Sequence, residues 1–355
     1  MDRYHRQKLL PQIGAAGQNR LSEARVLLIG VGALGCTVAD QLVRAGVGQI
    51  TLVDRDVVDE TNLHGQILFN DLSAITAEAK VSAAAKQLRL INADTTIDAL
   101  ASDVTSQNIS HIVDTHRPTL LIDSTDNAES RYLMNDTAIR SGLPLVYGGC
   151  VGTEGRVMGI IPGYTPCLRC LFPQPPAPGE LPTCDTAGVL GAAAMVVGAL
   201  QATEAIRLIV SLEQAIASPA MVTLDVWTRR YKTIDLTDAR DPACRTCAMK
   251  QFDFLNAPAR NAVTLCGRQT VQVRLPRIPA DRYANAEVLN ADNALLDLIE
   301  PRLRAADINV VRNSYLLRFA AEAGIDLTVF ADGRVLIHGT DDPARARAIV
   351  ARYLG

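Results

Sequence analysis

Arg25-Val-Leu-Leu-Ile-Gly30-Val-Gly32-Ala-Leu-Gly35, with Asp54 nineteen residues further on, is the stretch on which the fold turns. Arg25 to Gly30 is a short apolar run ending in glycine, which reads as a buried parallel strand. A helix is expected from Ala33 to Ala45, and Gln49–Asp54 repeats the strand signature before ending on an acid. The result is a G-x-G-x-x-G string between a strand and a helix. Glycine there lets the backbone approach a phosphate and lets the helix pack close, while the acid can take a ribose hydroxyl pair. NAD, FAD and ATP all use such a loop, so Gly30, Gly32, Gly35 and Asp54 mark a nucleotide site without naming its nucleotide.

Working outward, further strands are expected at Thr119–Asp123, Pro144–Gly148 and Val157–Ile161, with a helix at Ala128–Ser141. The alternation predicts a Rossmann-like, doubly wound, mostly parallel sheet covered on both faces. Pro173–Pro182 holds five prolines in ten residues and reads as an extended, exposed crossing. A second break falls near Phe254–Arg260. Beyond it come a strand at Val263–Leu275, a helix at Asn293–Ala305 and strands at Tyr315–Phe319, Leu327–Phe330 and Val335–His338. Ala331–Arg334 makes a hairpin turn, and a helix at Pro343–Tyr353 closes the chain. We therefore expect two domains, an α/β unit over 1–254 and a small α+β unit over 255–355.

Hydrophobic residues make up 48% of the 355 and charged residues 21%, enough for a sizeable core. Thirty-five basic against 38 acidic side chains leave a net charge of −3, which gives no overall pull toward nucleic acid or an anionic membrane. The longest apolar run, Ala187–Leu200, is fourteen residues, short for a bilayer. It suits a helix in the core or at a subunit interface. The amino-terminal stretch lacks the apolar segment of a secretory signal, so the expectation is a cytoplasmic protein.

Polar residues downstream separate the nucleotides. Asp54–Gln66 is rich in acids and amides and includes Asn62 and His64; Lys80 follows, and Ser124-Thr125-Asp126-Asn127 ends another strand. An acid, an amide and a lysine at the carboxyl ends of parallel strands suit a nucleoside triphosphate and magnesium better than a nicotinamide. Singly, each has an ordinary reading: Lys80 as a solvated helix charge, Asp126 and Asn127 as the cap of the next helix.

Arg3-Tyr4-His5-Arg6-Gln7, the glycine loop, Thr51–His64, Glu78-Ala-Lys80-Val, Asp123–Asn127, Cys167–Cys170 and Cys244–Cys247 stand in the order found in the MoeB/ThiF adenylyltransferases, which residues 1–250 resemble. That family joins the C-terminal glycine carboxylate of a ubiquitin-like sulfur carrier to the α-phosphate of ATP. The resemblance implies that Gly32 and its neighbours line the nucleotide pocket and that Asp54 holds the ribose. It also implies that Asn62 and Lys80 touch phosphates and Asp126 holds Mg2+. Arg6 would reach the ATP of a partner subunit, which requires a homodimer. One departure stands out. The arginine usual in the family's NLxRQ is Gly65 here, and the loss of a charge-assisted phosphate contact costs about 1.5–3 kcal/mol. A weaker enzyme, a shifted substrate, or rescue by Arg55, His64 or another base would each account for it.

The chain has eight cysteines, too few for a disulfide scaffold at this length. Cys167, Cys170, Cys244 and Cys247 form two C-x2-C pairs 73 residues apart, which fits a structural zinc site of four thiolates tying distant segments together. Cys184 follows the proline-rich crossing, where ThiF-like enzymes carry a reactive cysteine and MoeB-like ones manage without; nucleophile and bystander both stand. Cys36, Cys150 and Cys266 read as small buried residues, and Trp227 and Tyr231 as core.

The reading is an ATP-dependent adenylyltransferase acting on a sulfur carrier ending in Gly-Gly, of the molybdopterin or thiamine type, with a cysteine desulfurase or rhodanese as sulfur donor. Its rivals are adenylation of another peptide carboxylate in natural-product synthesis and a weakly active scaffold of a sulfur-transfer complex. Residues 255–355 carry no catalytic constellation: Arg268, Arg274 and Arg277 are scattered, and the region reads as a binding or dimer-supporting module.

Overall fold

Five parallel strands, β1 (Arg25–Ile29), β2 (Gln49–Val53), β3 (Thr96–Leu100), β4 (Leu120–Asp123) and β5 (Leu145–Val151), lie in the order β3-β2-β1-β4-β5. Antiparallel strands β6 (Glu154–Ile160), β7 (Ala220–Asp225) and β8 (Arg230–Asp235) extend the sheet to eight. The computed structural model describes residues 2–176, 187–258, 262–265, 270–275, 294–313 and 315–355. It divides the chain into two units, Met1–Ala259 and Arg260–Gly355.

The strand order reverses between β1 and β4. Open parallel sheets bind ligands at such a reversal, outside the carboxyl ends of the strands. The glycine loop leaves β1 and the Ser124–Asn127 turn leaves β4, so both line that crevice. The first helix after β1 spans Ala33–Ala45, as its sequence predicts. It stops because Gly46 takes φ +85° and returns its amide to the carbonyls of Leu42 and Val43. Helix 128–141 also lies where expected, capped by the Asn127 side chain, which accepts the Ser130 amide at 2.9 Å.

The apolar run near Ala187 becomes a longer helix, Gly191–Val210. Among the described residues it is the one helix whose length and composition would let it cross a membrane, with mean hydropathy 1.5 and half of it buried in the protein. Its neighbours are helix 33–45 and strands β5 and β6. Gly198 lies against Thr37 and the Leu34 carbonyl, and Gly155 of β6 leaves room for Val197. Small residues here let the helix press onto the sheet.

Trp227 and Tyr231 are not core. They are 76% and 61% exposed, at the tip of the β7–β8 hairpin and on the edge strand β8. Strands with little covering them carry no clear alternating apolar signature, so the edge strand β8 and its neighbour β7 are not legible as strands, and the two aromatics fall outside the core with them. Strand β3, half-buried at the other edge, escaped notice for the same reason.

The C-terminal unit is an antiparallel sheet of six strands in the order β11-β12-β13-β14-β10-β9. The strands are β9 (Ala262–Leu265), β10 (Thr270–Arg274), β11 (Val310–Arg312), β12 (Leu316–Glu322), β13 (Ile325–Phe330) and β14 (Arg334–His338). The single strand expected over Val263–Leu275 is in fact the pair β9 and β10, antiparallel with Thr270 opposite Leu265. The apolar pattern runs through both and hides the reversal between them. Helices Ala294–Ala305 and Pro343–Leu354 supply Leu296, Ile299 and Ile349 to a core shared with Leu327, Val335 and Ile337. Asp342 caps the last helix by accepting the Ala344 amide at 2.7 Å. Cys266, Arg268 and Arg277 lie outside the described residues.

Candidate nucleotide site and cysteine cluster

The three glycines of the loop do different work. Gly30 has φ +90°, and a Cβ there would come within 2.8 Å of the Ser124 carbonyl oxygen. A Cβ on Gly35 would overlap the Gly30 carbonyl, so only glycine lets helix 33–45 start this close to β1. Gly32 faces open space, with nothing within 4 Å of where a Cβ would stand. It precedes the helix as N-cap residue, where no side chain takes the first amides. A helix N-terminus bare of side-chain caps is suited to an anion.

Asp54 meets this loop from just beyond β2. Its Oδ2 accepts the Val31 amide at 2.7 Å and its Oδ1 accepts the Asp56 amide at 2.7 Å. An ionised carboxylate has about four acceptor positions, so two remain for hydroxyl donors. Burial raises its pKa above the ordinary 3.8, and the nearby Lys80 ammonium works in the opposite direction.

Lys80 is not a solvated helix charge. Only 4% exposed, it opens helix Lys80–Ile91 and donates to Asp56 Oδ2 at 3.3 Å. A cation at the positive end of a helix is poorly placed unless anions surround it. Asp56 is one such anion, a triphosphate would be a second. Arg55 reaches Asp103 at 3.4 Å and Asp56 at 3.8 Å in the same acidic setting.

On the far side of the crevice, Asp126 is exposed at the turn after β4. Asp123, which ends β4, is fully buried: its Oδ1 accepts the Thr125 amide at 3.0 Å and the Thr125 hydroxyl at 2.7 Å. Its Oδ2 has no hydrogen-bond partner among the described residues, and burial raises its pKa, with Arg131 opposing the rise. Arg131 donates to the Thr125 carbonyl at 3.0 Å and lies over the Tyr147 ring at 5.7 Å. Sequence reasoning passed over Asp56, Asp123 and Arg131. Asp123 as the last residue of a buried strand was the available signal; nothing along the chain distinguished Arg131.

Asn62 and Gly65 lie on the loop beyond β2, within one tight turn: the amides of Gly65 and Gln66 both donate to the Asn62 carbonyl. The loop seats on the start of helix 191–210, where His64 Nε2 lies 3.3 Å from the Val189 carbonyl oxygen. Gly65 is buried, and a Cβ there would meet Gly191 Cα at 3.4 Å and Ala33 Cβ at 3.5 Å, ordinary contact distances. Arg6 is exposed on helix His5–Lys8. Its neighbour Tyr4 packs on Gly46, at the opposite end of helix 33–45 from the glycine loop, roughly 18 Å along the axis. Arg6 is therefore not brought to this chain's own crevice. Cys184 lies outside the described residues.

The two cysteine pairs do meet. Among the described residues, Cys167, Cys170, Cys244 and Cys247 have all four Sγ atoms within 4.8 Å of one another. Cys167 and Cys244 are 3.5 Å apart, Cys170 and Cys247 3.4 Å, and Cys167 and Cys170 3.9 Å. A tetrahedral Zn–S distance of about 2.3 Å implies sulfurs roughly 3.8 Å apart, so the cluster fits such an ion. Hydrogen bonding with Cys170 and Cys247 that favours the protonated form, together with burial, pushes the Cys167 thiol well above its ordinary range. A divalent cation would displace those protons. Cys36 and Cys150 are buried, as expected, and burial pushes the Cys36 thiol up to about 12.

Comparison with known proteins agrees with this geometry. The ThiF family model matches residues 4–246. The sulfur carrier protein ThiS adenylyltransferase of Bacillus subtilis is 37% identical over 354 residues, 99% of each chain. A sulfur carrier protein adenylyltransferase of Thermus thermophilus is 38% identical over 253 residues, 70% of this chain and 90% of its own. Among solved structures, E. coli MccB with ATP superposes at TM-score 0.60 with 20% identity, over 69% of this chain and 74% of that one, a likeness of fold. Glycine loop, switch-point crevice and family match agree: this chain belongs to the ThiF family.

Proposed function

We propose that this chain activates the C-terminal glycine carboxylate of a ubiquitin-like sulfur carrier by adenylation. The observation that carries the reading is the 37% identity to a ThiS adenylyltransferase along 354 residues, including the C-terminal unit. A carboxylate oxygen of the carrier attacks the α-phosphorus of ATP in line, the bond to the bridging oxygen of the β-phosphate breaks, and pyrophosphate leaves. Such a reaction draws on positioning and charge stabilisation more than on covalent help from side chains.

In this reading the Gly30–Gly35 loop cradles phosphates at the start of helix 33–45, and Asp54 accepts the ribose hydroxyls through its remaining lone pairs. Lys80 exchanges part of its interaction with Asp56 for phosphate oxygens, and Asn62 adds an amide contact. Asp126, exposed at the mouth, is the residue to hold Mg2+, which when bound neutralises phosphate charge. Arg6 serves the crevice of a second subunit, since its own lies at the far end of helix 33–45, and the working unit is a homodimer. The four cysteines hold a structural zinc. Cys184 stands as candidate nucleophile for the later sulfur transfer, with a cysteine desulfurase or rhodanese as donor, in a cytoplasmic setting.

The test is ATP–pyrophosphate exchange with purified carriers ending in Gly-Gly. Exchange and a carrier–AMP species by mass spectrometry are expected with at least one carrier. Absence of both, with protein that binds Mg-ATP, would overturn the substrate assignment.

A further inference from the structure

Helix 128–141 carries three polar side chains, Tyr132, Asn135 and Asp136, at the i, i+3, i+4 spacing that puts them on one face. Each grips a different segment near the cysteine cluster. The Tyr132 hydroxyl donates to the Phe172 carbonyl at 2.9 Å. Asn135 Oδ1 accepts the amide of Leu168, the residue after Cys167, at 2.8 Å. Asp136 Oδ1 accepts the hydroxyl of Thr246, between Cys244 and Cys247, at 2.9 Å, and its Oδ2 accepts the Phe254 amide at 2.9 Å. Asn135, Asp136 and Thr246 are fully buried.

Buried acceptors are costly unless satisfied, and a buried carboxylate more so. Here the donors come from the two cysteine knuckles, 33 residues from Asn135 in one case and 110 from Asp136 in the other. None of these bonds uses a sulfur atom. The face binds the backbone after the first knuckle and the side chain inside the second. Tyr132 holds the point where the chain departs toward the proline-rich crossing, and Arg169 adds a bond to the Pro173 carbonyl at 3.2 Å. Two loops far apart in sequence are thus held against one rigid helix by groups that need no ion.

We propose that Asn135 and Asp136 are positioning residues that set the four thiols in tetrahedral register before any metal arrives. The zinc assignment above enters only one arm of the test. A centre organised in this way exchanges its ion slowly, since outer-shell partners of metal ligands are commonly worth about 10–100-fold in affinity. It also keeps the metal-free thiols screened from reagents.

The experiment uses the full chain with Thr246→Val, which keeps size and removes one hydroxyl, and Asp136→Asn. Ile139→Val, a buried change on the same helix, is the control for lost stability alone. One readout is the rate of zinc transfer to a chromogenic chelator. The other is the alkylation rate of Cys167, Cys170, Cys244 and Cys247 by iodoacetamide in chelator-stripped protein, read by peptide mass spectrometry. Both rates should rise at least about tenfold in the two clip variants and stay at the parental value in the control. Parental alkylation rates in folded Thr246→Val would overturn the proposal, even if Asp136→Asn fails to fold. Purified protein without zinc would refute the zinc assignment, and alkylation alone would then decide the role of the clip.

Discussion

Asp54 Oδ2 accepts the Val31 amide at 2.7 Å, so the acid that follows β2 holds the glycine loop that leaves β1. Both oxygens of this carboxylate are engaged by backbone, which makes it part of the loop's frame as well as a candidate ribose partner. Asp54→Ala should raise KM for ATP by about 10–100-fold, the equivalent of one charge-assisted contact. The melting temperature should fall as well. Exchange kinetics and a thermal melt together check it: an unchanged KM would remove Asp54 from the ribose.

Lys80 and Asp126 separate chemistry from stability. Lys80→Met and Asp126→Asn should each slow adenylate formation by about 100–1,000-fold, the usual effect of losing a group that stabilises developing charge. Lys80 is buried against Asp56, so its replacement should also lower the melting temperature. Asp126 is exposed, and its replacement should leave the melt unchanged. Single-turnover rates with Mg-ATP, set beside calorimetry, read both halves.

Burial raises the pKa of Asp123 above its ordinary 3.8, so the folded state holds that proton more tightly than the unfolded chain. The resulting stabilisation is full below 3.8 and is lost as pH rises through the raised value. Asp123→Asn removes that loss. The variant should melt above the parent at about pH 8, with the gap closing toward about pH 4. A gap independent of pH would show that Asp123 ionises normally in the fold.

Removing one sulfur should empty the cysteine cluster. The expectation is about one zinc per chain in the parent and near zero in Cys170→Ser or Cys244→Ser. The cost should be at least about 3 kcal/mol, a melting shift of roughly 4–6 °C for a protein of this size. Elemental analysis of protein prepared without chelator checks the first expectation and calorimetry the second.

Gly65 is a place where activity can be gained. A Cβ there meets its neighbours at 3.4 and 3.5 Å, so the backbone accepts a Cβ. Gly65→Arg should lower KM for ATP by about tenfold, near 1.4 kcal/mol. A rise in KM would mean that the crevice has been rebuilt around the missing guanidinium.

Much of the first unit was legible because its information is local. Helix 33–45 and helix 128–141 could be read to the residue, since Gly46 and Asn127 mark an end and a beginning by their own chemistry. Buried parallel strands announce themselves by unbroken apolar runs, as β1, β2 and β4 do. Edge strands β3 and β8 do not, because one or both faces meet water, and Trp227 and Tyr231 were misassigned with the hairpin they belong to. At the candidate site, the glycines and Asp54 were marked by spacing, and Lys80 and Asp126 by their places after predicted strands and by the family resemblance. None of these could indicate that Lys80 is buried, that Asp56 is its partner, or that Asp123 lies buried behind the turn.

The sequence by itself determined the strand–glycine loop–helix–strand–acid unit and the two C-x2-C pairs, because glycine conformation, apolar period and thiol spacing act over a few residues. Only the tertiary structure decided which charges meet and which are shut from water, and that the two knuckles close on one another over helix 128–141. Those facts depend on segments as much as 118 residues apart being folded into one dry interior. There the free energy of a carboxylate or an ammonium is set by its neighbours in space, and chain position carries no record of them.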